Sequence, residues 1–599
     1  MGDLVSESQV CSVPGRQIQD HLLLVRETIA MAIHKKRPLY IISLDQEKAF
    51  DRVDWEFMFL VMEKMGIPET FINYVKTFYT SPISVACVNG NFTEPIEIKR
   101  GVRQGCPLSM LLYALVAESI GNAIEADDQI QGALTPNGKK EVKKIQFADD
   151  TNGIVRNTVS IFGLFELFER YESGTGARIC VHKTRGIAIN HPGEPPCKDI
   201  PIQWNRPDTK ILGVIFTGDL KRSAELNWEQ VIGAVQKRAT GLAKRSLSLK
   251  AKALMANTLL LSKAWHIGRV FLPDKSTIRR LDALVFPYIW QPNRELIGRI
   301  NMKLPFEKGG VNLIPVDTQC IALQLQDFLK IGDDAGPSWV HFTRYWLGDR
   351  VGSLLKEWKK LKSNSLPKHV IGEKPLHHRE ILPHALEVFP KICPRTSTAQ
   401  SIRKQIQKKD SLTETAVKAR RYIQNLIPTV KICWKSMSKH VYGLAAPAKH
   451  CDIRFRITHN AILSNSNMAR WQHTGRKVCP KCVKCGEIED TLHVFLCRSF
   501  APLRFDILNT LGAILEPGTK FVDLIFFKCG HPLVQSVIAE TLHQMWSSRC
   551  KSQHEGKAPN RELLYATIMR NVKRGLSLIP NVLPYECQLF DARTRICYF

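Results

Sequence analysis

Three aspartates are the side chains whose type and spacing could most clearly do chemistry in this sequence. Asp45 directly follows the apolar run 39–44, and the pair Asp149-Asp150 comes about a hundred residues later, after residues 145–148. Carboxylate oxygens are preferred ligands of Mg²⁺, and two such ions about 3.5–4 Å apart can activate a hydroxyl nucleophile and neutralise a triphosphate. If the fold brings the two stretches together, the aspartates predict a two-metal site for nucleotidyl transfer.

The residues around Asp45 predict a strand followed by a helix. Residues 39–44 form a short apolar run after a turn signal, which is typical of a buried strand, and helical periodicity begins after Asp51 and stops at Gly66 and Pro68. An alternative remains open at this point, because Asp45 and Asp51 could simply cap the helix that follows.

Two further blocks have the composition of ligand-binding turns. In residues 100–109, glycines allow close backbone approach, Arg103 offers charge to phosphates and Gln104 could hydrogen-bond a nucleotide, before an apolar helix predicted over 110–120. Residues 142–155 read as strand, tight turn and strand, with the paired aspartates at the tip. Taken singly, the first could be an ordinary loop before a buried helix and the second an ordinary turn, since Asp is common in turns.

In this order and spacing, residues 43–53, 100–109 and 147–151 closely resemble the reverse transcriptase of non-LTR (LINE-type) retrotransposons. Further similar stretches are a fingers segment at 13–18, a palm motif at 173–184, a primer grip at 212–214, and thumb and connection segments at 247–265 and 307–310. The resemblance implies an RNA-directed DNA polymerase that extends a DNA 3′ end on an RNA template with dNTPs. It also implies an α+β right-hand fold of fingers, palm and thumb, with a ferredoxin-like palm.

The resemblance also assigns roles to single residues. Asp45 and Asp149 would be the principal ligands of two Mg²⁺ ions, with Asp150 completing the site. Phe50 would stand as an aromatic wall against the ribose 2′-hydroxyl, and Lys183 would protonate the leaving pyrophosphate.

Arg103, Gln104 and Gly105 would contact the incoming nucleotide and the template. The sequence departs from the family at two positions, because Phe147 stands where Tyr is usual and Cys180 stands where Asn is common. Neither change removes a metal ligand, although the second bears on the lysine assignment.

The chain begins inside the region that resembles the fingers, without the family's earlier fingers motifs and upstream apurinic-type endonuclease. The sequence thus predicts a truncated element that could extend a primer but could not itself nick a chromosomal target. The alternative is a catalytically inactive nucleic-acid-binding remnant. An intron-maturase-like enzyme is disfavoured by a Cys/His cluster near the C-terminus.

That cluster is Cys482-x2-Cys485-x7-His493-x3-Cys497. A Cys-x2-Cys knuckle followed by His and Cys one helical turn apart predicts a closed, tetrahedral, structural Zn²⁺ site. Cys479 precedes Cys482 by the same two-residue gap, so an alternative choice of ligands is open. The spacing also resembles the zinc-binding module that follows the polymerase in this retrotransposon family.

The formal net charge is +28, and residues 341–450 carry an excess of 15 positive charges, more than half of the total. Cations interleaved with aromatic rings can follow a phosphate backbone and stack unpaired bases, so this region predicts contact with RNA and DNA. The alternative is a set of solvated helix faces. The run 403–409 could in addition act as a nuclear import signal.

The expected order of domains is partial fingers and palm over 1–225, thumb and connection over 226–335, a basic α-helical region over 336–475, a CCHC zinc module over 476–500 and a helical tail over 501–599. The 17 cysteines are odd in number and scattered, and no secretory signal opens the chain, which favours the nucleus or cytoplasm over secretion. Residues 253–272 are the best candidate for a membrane span, but polar residues interrupt them, so they are predicted to be one buried helix without a membrane.

Overall fold

The computed structural model describes residues 2–577 apart from 3, 192–195, 198, 201, 207–208, 292–293, 333–335, 348–373, 393–395, 408–413, 442–446, 472–478 and 557. The chain forms two compact units, each discontinuous in sequence. Unit 1 comprises Met1–Val231, Lys263–Lys275 and Asp317–Ile406, and unit 2 comprises Ile232–Ser262, Ser276–Val316 and Gln407–Phe599. The predicted fingers and palm fall within unit 1, whereas the segments predicted as thumb and as basic region contribute to both units.

The elements of the first 216 residues are α1 (Ile18–Lys35), β1 (Leu39–Leu44), α2 (Ala49–Arg52), α3 (Trp55–Lys64), α4 (Glu69–Phe78), β2 (Ile83–Ser84), β3 (Cys87–Val88), β4 (Asn91–Phe92), β5 (Ile96–Glu97), α5 (Pro107–Ala126), β6 (Ala133–Leu134), β7 (Glu141–Val142), β8 (Lys144–Phe147), β9 (Asp150–Val155), α6 (Thr158–Thr175), β10 (Arg185–Ile189), β11 (Gln203–Trp204), β12 (Lys210–Ile211) and β13 (Val214–Ile215). The predicted strand at 39–44 and the predicted hairpin are confirmed. The helix predicted over 110–120 is also present and is longer than expected.

The described elements that follow are α7 (Leu220–Leu242), α8 (Leu249–Met255), α9 (Ser262–Gly268), α10 (Lys275–Trp290), α11 (Arg299–Lys303), α12 (Val316–Phe328), α13 (Trp339–Leu347), α14 (Leu376–Val388), α15 (Ala399–Gln407), α16 (Glu414–Leu426), α17 (Trp434–His440), α18 (Ala448–Thr458), α19 (Asn465–Arg470), α20 (His493–Leu496), α21 (Ala501–Leu511), α22 (Phe521–Ile525), α23 (Pro532–Glu555) and α24 (Arg561–Ser577). In unit 2, α23 packs against α18 and α24.

A five-stranded sheet in unit 1 has the order β11-β10-β1-β9-β8. Strand β1 pairs antiparallel with both β9 and β10, and β9 pairs antiparallel with β8. Helix α5 follows β1, and helix α6 follows β9. Strands β10, β1, β9 and β8 therefore have the order and directions of a ferredoxin-like βαββαβ unit. This strand order agrees with the ferredoxin-like unit that the sequence predicted.

Burial on both sides explains why β1 reads as an almost continuous apolar run. Ile42 and Leu44 pack into a core with Ile120 of α5 and with Leu164 of α6, and Ile41 on the opposite face is also buried. The core therefore fixes the end of β1, where Asp45 lies.

The structure corrects the sequence analysis at two long apolar stretches. The most span-like helix among the described residues is α5, and not residues 253–272. Helix α5 is long and apolar enough to cross a membrane by length and composition, but 61% of its most apolar window is buried inside the protein, as expected of a core helix. Residues 253–272 were predicted to be one buried helix, and this was wrong. They contain the end of α8, a π-helical turn over Ala256–Leu260, and α9.

Two of the arginines predicted to face nucleic acid belong to the protein interior. Arg403 is buried and donates a hydrogen bond to Gln319 Oε1 at 2.8 Å, and Arg420 is buried and donates to the Lys308 carbonyl at 3.0 Å. Lys404 is exposed. The segments Trp358-Lys359-Lys360 and Lys408-Lys409, which carried part of the same prediction, lie outside the described residues.

Candidate active site and cysteine-histidine cluster

The sheet register brings the three aspartates to one end of two neighbouring strands. Leu44 pairs with Thr151, so Asp45 leaves β1 beside the hairpin turn, and Asp150 is the first residue of β9. Asp149 precedes it in the two-residue turn between β8 and β9. Stretches separated by about a hundred residues in sequence therefore meet through backbone pairing alone.

The alternative that these acids merely cap a helix is wrong. Helix α3 is capped by Asp54, whose carboxylate accepts a hydrogen bond from the Phe57 amide at 2.9 Å. Helix α2 begins after Lys48 and has no side-chain cap. Asp45 therefore has no capping role that would explain its position.

The charges of the three carboxylates affect the pKa values of the hairpin aspartates. Burial raises the pKa of Asp150 to about 6, with further contributions from the charges of Asp149 and Asp45. Burial also raises the pKa of Asp149, and the charge of Asp45 adds to the effect. Like charges this close disfavour ionisation, and a bound cation would relieve that repulsion.

The three carboxylates are near one another but do not form a closed ligand set. Within the part of the chain that the structure describes, the groups of His, Cys, Asp and Glu whose ligand atoms all lie within 4.8 Å of one another are found elsewhere. Asp45 and Asp149 are half-buried and Asp150 is exposed, so the three side chains can be reached from solvent.

Lys183 lies at this site because the backbone before it pairs with the residues around Asp45. The Cys180 amide donates to the Asp45 carbonyl at 2.7 Å, and the Glu47 amide donates to the Arg178 carbonyl at 2.7 Å. Lys183 Nζ then reaches Asp45 Oδ2 at 3.3 Å, and this contact raises the pKa of the lysine. Since Cys180 acts here through its backbone amide, its departure from the usual Asn leaves this contact intact.

Gln9 is a positioning residue for the turn that sequence reasoning missed. Residues 8–10 run alongside β8, with the Gln146 amide donating to the Ser8 carbonyl at 2.7 Å. The fully buried Gln9 side chain accepts from the Ala148 amide at 3.1 Å through Oε1. Ala148 has a φ of 53°, which is unfavourable for a residue with a Cβ, so the glutamine stabilises a strained turn beside Asp149.

The loop predicted to contact the nucleotide is packed onto the residues after Asp45. The Val102 amide donates to the Phe50 carbonyl at 2.8 Å, and Trp55 Nε1 donates to the Gly101 carbonyl at 2.8 Å. Gly101 has a φ of 92°, and a Cβ there would lie 2.8 Å from the Asp51 carbonyl oxygen, so only glycine fits.

The predicted nucleotide-binding residues occupy two different environments. The ring of Phe50 stacks on Tyr113 of α5, with centroids 4.5 Å apart and an interplanar angle of 14°. Arg103, Gln104 and Gly105 lie on the solvent-exposed turn that leads into α5. The aromatic ring is thus held in place by packing, whereas the other three residues face solvent.

The four predicted zinc ligands form a close cluster in unit 2. The ligand atoms of Cys482, Cys485, His493 and Cys497 all lie within 4.8 Å of one another. The Cys482 and Cys497 sulfurs are 3.9 Å apart, and Cys485 Sγ lies 3.2 Å from His493 Nε2. With Zn–S bonds of about 2.3 Å, two sulfurs of a tetrahedral site lie about 3.8 Å apart, so the donors and their spacing fit Zn²⁺. Cys479, the alternative ligand, is exposed and lies outside this cluster.

Contacts to neighbouring helices hold this cluster in place. The Asp490 carboxylate accepts from the His493 amide at 2.7 Å, at the start of α20. The buried Glu489 pairs with Arg549 of α23 and accepts from the Asn465 amide at 2.9 Å. The four clustered side chains therefore lie on a segment that is tied to α19 and α23.

Comparisons with known proteins bear on this arrangement. Residues 2–216 match the family model described as Reverse transcriptase (RNA-dependent DNA polymerase). The chain is 27% identical over 346 residues to the Transposon TX1 uncharacterized 149 kDa protein of Xenopus laevis. This alignment covers 57% of this chain and 26% of that protein.

The chain is also 24% identical over 270 residues to the Retrovirus-related Pol polyprotein from type-2 retrotransposable element R2DM of Drosophila melanogaster. That alignment covers 42% of this chain and 24% of that protein.

The matched stretch thus spans about a quarter of the length of these two relatives. Among solved structures, a telomerase from Candida tropicalis in complex with the TWJ fragment of telomeric RNA is 13% identical and covers 56% of this chain and 52% of that chain, with a TM-score of 0.28. That likeness is too slight to define the fold. The family match rests on the sequence of the N-terminal part, where residues 2–216 resemble reverse transcriptases.

Proposed function

We propose that this chain is an RNA-directed DNA polymerase of a LINE-type retrotransposon, which extends a DNA 3′ end on an RNA template with dNTPs. The observation that carries the proposal is the meeting of Asp45 with the Asp149-Asp150 turn at one end of the central sheet of a reverse transcriptase domain. In this proposal residues 1–225 act as partial fingers and palm, and residues 226–335 act as thumb and connection.

Asp45, Asp149 and Asp150 would hold two Mg²⁺ ions. The fit rests on the donor set, because all three offer hard carboxylate oxygens and the two hairpin carboxyls have raised pKa values that a cation would reverse. When bound, the metal supplies charge neutralisation of the triphosphate and a lowered pKa of the primer hydroxyl.

Residues of the chain itself would select the sugar, supply a proton and position the nucleotide. Phe50, fixed by its stacking on Tyr113, would limit the space for a ribose 2′-hydroxyl and so favour deoxynucleotides. Lys183 would hold a proton on Nζ close to the leaving pyrophosphate, because the contact with Asp45 keeps its ammonium charged. Arg103, Gln104 and Gly105 would position the nucleotide against its template.

The Cys/His cluster would hold one structural Zn²⁺ and present its neighbouring surface to nucleic acid. The excess of positive charge over residues 341–450 supports RNA and DNA as partners, since cations that neutralise phosphates release counterions. We also propose the nucleus or the cytoplasm as its location, because its 17 cysteines are odd in number and scattered.

Primer extension tests the proposal. Purified protein with an RNA template, a DNA primer, dNTPs and Mg²⁺ should extend the primer, and Asp149→Ala should reduce extension at least about 10³-fold, because it removes a ligand needed in the transition state. Asp128→Asn is the matched control, because it removes an exposed acidic charge after α5 and should extend normally. Full extension by Asp149→Ala would refute the assigned site. Salt-sensitive RNA binding without extension by the wild-type protein would instead identify an inactive remnant.

A further inference from the structure

Unit 2 contains a second cluster of metal-ligating side chains, well outside the Cys/His cluster in sequence. It consists of His450 on α18 and of Glu540 and His543 on α23, and we call it the His450 cluster. Glu540 and His543 are three residues apart on one helix and so share a face, and α18 packs against that helix. One ligand atom from each of the three side chains lies within 4.8 Å of the other two.

Each imidazole of the His450 cluster has a buried ring nitrogen without a hydrogen-bond partner. His450 is 2% exposed, and while its Nδ1 pairs with Glu540 Oε2 at 3.0 Å, its Nε2 has no partner. Nδ1 of His543 is likewise buried without a partner. Unsatisfied buried polar groups are costly, and a metal ion between the rings would satisfy them.

The carboxylate of the cluster is oriented by its neighbours. Glu540 Oε1 accepts hydrogen bonds from Gln544 Nε2 and from Asn571 Nδ2, both at 2.7 Å, which leaves Oε2 directed at His450. Metal-ligating carboxylates are commonly held by outer hydrogen bonds of this kind.

A similar set of residues in unit 1 has a carboxylate that is already paired with a permanent cation. Glu27, His377 and His378 also have ligand atoms within 4.8 Å of one another. There each histidine Nε2 contacts a separate carboxylate oxygen, at 3.1 and 2.9 Å, and Arg26 pairs with the same carboxylate at 2.8 Å. The arginine already supplies the positive charge, whereas among the described residues Glu540 has no arginine or lysine ion-pair partner.

We propose that His450, Glu540 and His543 bind one divalent transition-metal ion that joins α18 to α23. Two imidazole nitrogens and one carboxylate oxygen are a donor set suited to Zn²⁺, Co²⁺ or a similar ion, with a further position for water. The site contains no thiolate, so it differs chemically from the Cys/His cluster. It also does not depend on polymerase activity.

Cobalt titration of the full chain tests the site. The protein is stripped with a chelator and dialysed against Co²⁺ with millimolar Mg²⁺ present, so that Mg²⁺ occupies the aspartates of unit 1. Thiolate ligation gives Co²⁺ a charge-transfer absorption, which reports the Cys/His cluster alone. We expect one further equivalent of bound Co²⁺ without that absorption, together with a higher melting temperature.

Two variants locate the additional ion. His543→Gln should lose the thiolate-free equivalent and keep the charge-transfer band, and His377→Gln, the matched change in the arginine-paired cluster, should lose nothing. Bound cobalt that follows the charge-transfer band completely in the wild-type protein would overturn the proposal. So would a thiolate-free equivalent that persists in a folded His543→Gln. If that variant does not fold, the wild-type titration decides alone.

Discussion

The carboxylate site of unit 1 and the Cys/His cluster of unit 2 are built in opposite ways. The three aspartates are positioned by strand register, stay open to solvent on one side and repel one another. The Cys/His ligand atoms are already close together on a segment tied to two helices. An open, repulsive set of hard donors suits ions that arrive and leave with substrate, whereas a closed set of soft donors suits an ion that stays with the fold.

The largest expected effect is on the Cys/His cluster. Cys485→Ser should abolish retention of zinc and lower the free energy of unfolding of the surrounding segment by several kcal/mol, because binding of a structural ion contributes directly to folding. Metal analysis measures the first effect, and faster hydrogen exchange over residues 479–500 measures the second. Cys479→Ser is the control and should match the wild type. Equal zinc retention by Cys485→Ser would show that the cluster is not closed as described.

A smaller effect is expected at the loop that packs behind the carboxylate site. Gly101→Ala should lower stability by about 2–3 kcal/mol and shift the loop, because it combines a positive φ with a contact to the Asp51 backbone. Gly105→Ala has a similar φ but open space around the new Cβ, so it should cost only about 1 kcal/mol. Thermal unfolding should rank the two variants in this order. Equal losses would mean that the loop does not depend on its packing.

Gln9→Ala should weaken the turn that carries Asp149. It leaves the Ala148 amide without its buried acceptor, a loss worth about 1–2 kcal/mol, so we expect extension to fall roughly tenfold and the Mg²⁺ requirement to rise. Extension rates measured across a Mg²⁺ series would show both changes. Glu7→Gln alters an exposed neighbour and should have no such effect. An unchanged Mg²⁺ requirement in Gln9→Ala would argue against a positioning role.

The smallest effect is a gain of stability at the carboxylate site. Asp150 has a folded-state pKa of about 6 against an ordinary 3.8, so the folded state holds its proton more tightly and stability is lost as the pH rises through that interval. Without metal, Asp150→Asn should therefore be more stable than the wild type at pH 7.5, by about 1 kcal/mol after solvent screening, and nearly equal below pH 4. Thermal unfolding in a chelator at both pH values measures the difference. A gain that is the same at both would exclude this origin.

The sequence predicted those features that depend on local pattern. Apolar periodicity and turn residues within short windows predicted β1, the β8–β9 hairpin and the start of α5. The close approach of the four Cys/His side chains was also predicted, because their spacing is that of a knuckle.

Features that depend on contacts between distant residues were not predictable in this way. Nothing in the sequence around Gln9 indicates that its side chain reaches Ala148, 139 residues away. Arg403 and Arg420 read as solvent-facing charges, but neighbouring oxygens accept their hydrogen bonds in the interior. In the His450 cluster, Glu540 and His543 show helical spacing, but the third residue comes from a helix that only the fold brings near.

The pairing of residues 8–10 with β8 has a practical consequence. These residues cover a strand that would otherwise be the open edge of the sheet, and they lie next to the turn that carries Asp149. A fusion partner or affinity tag joined close to Ser6 would pull on that strand, and the disturbance would reach the carboxylate site directly. Purification handles are therefore better placed at the opposite end of the chain, and low activity in an N-terminally tagged preparation should first be checked against an untagged one.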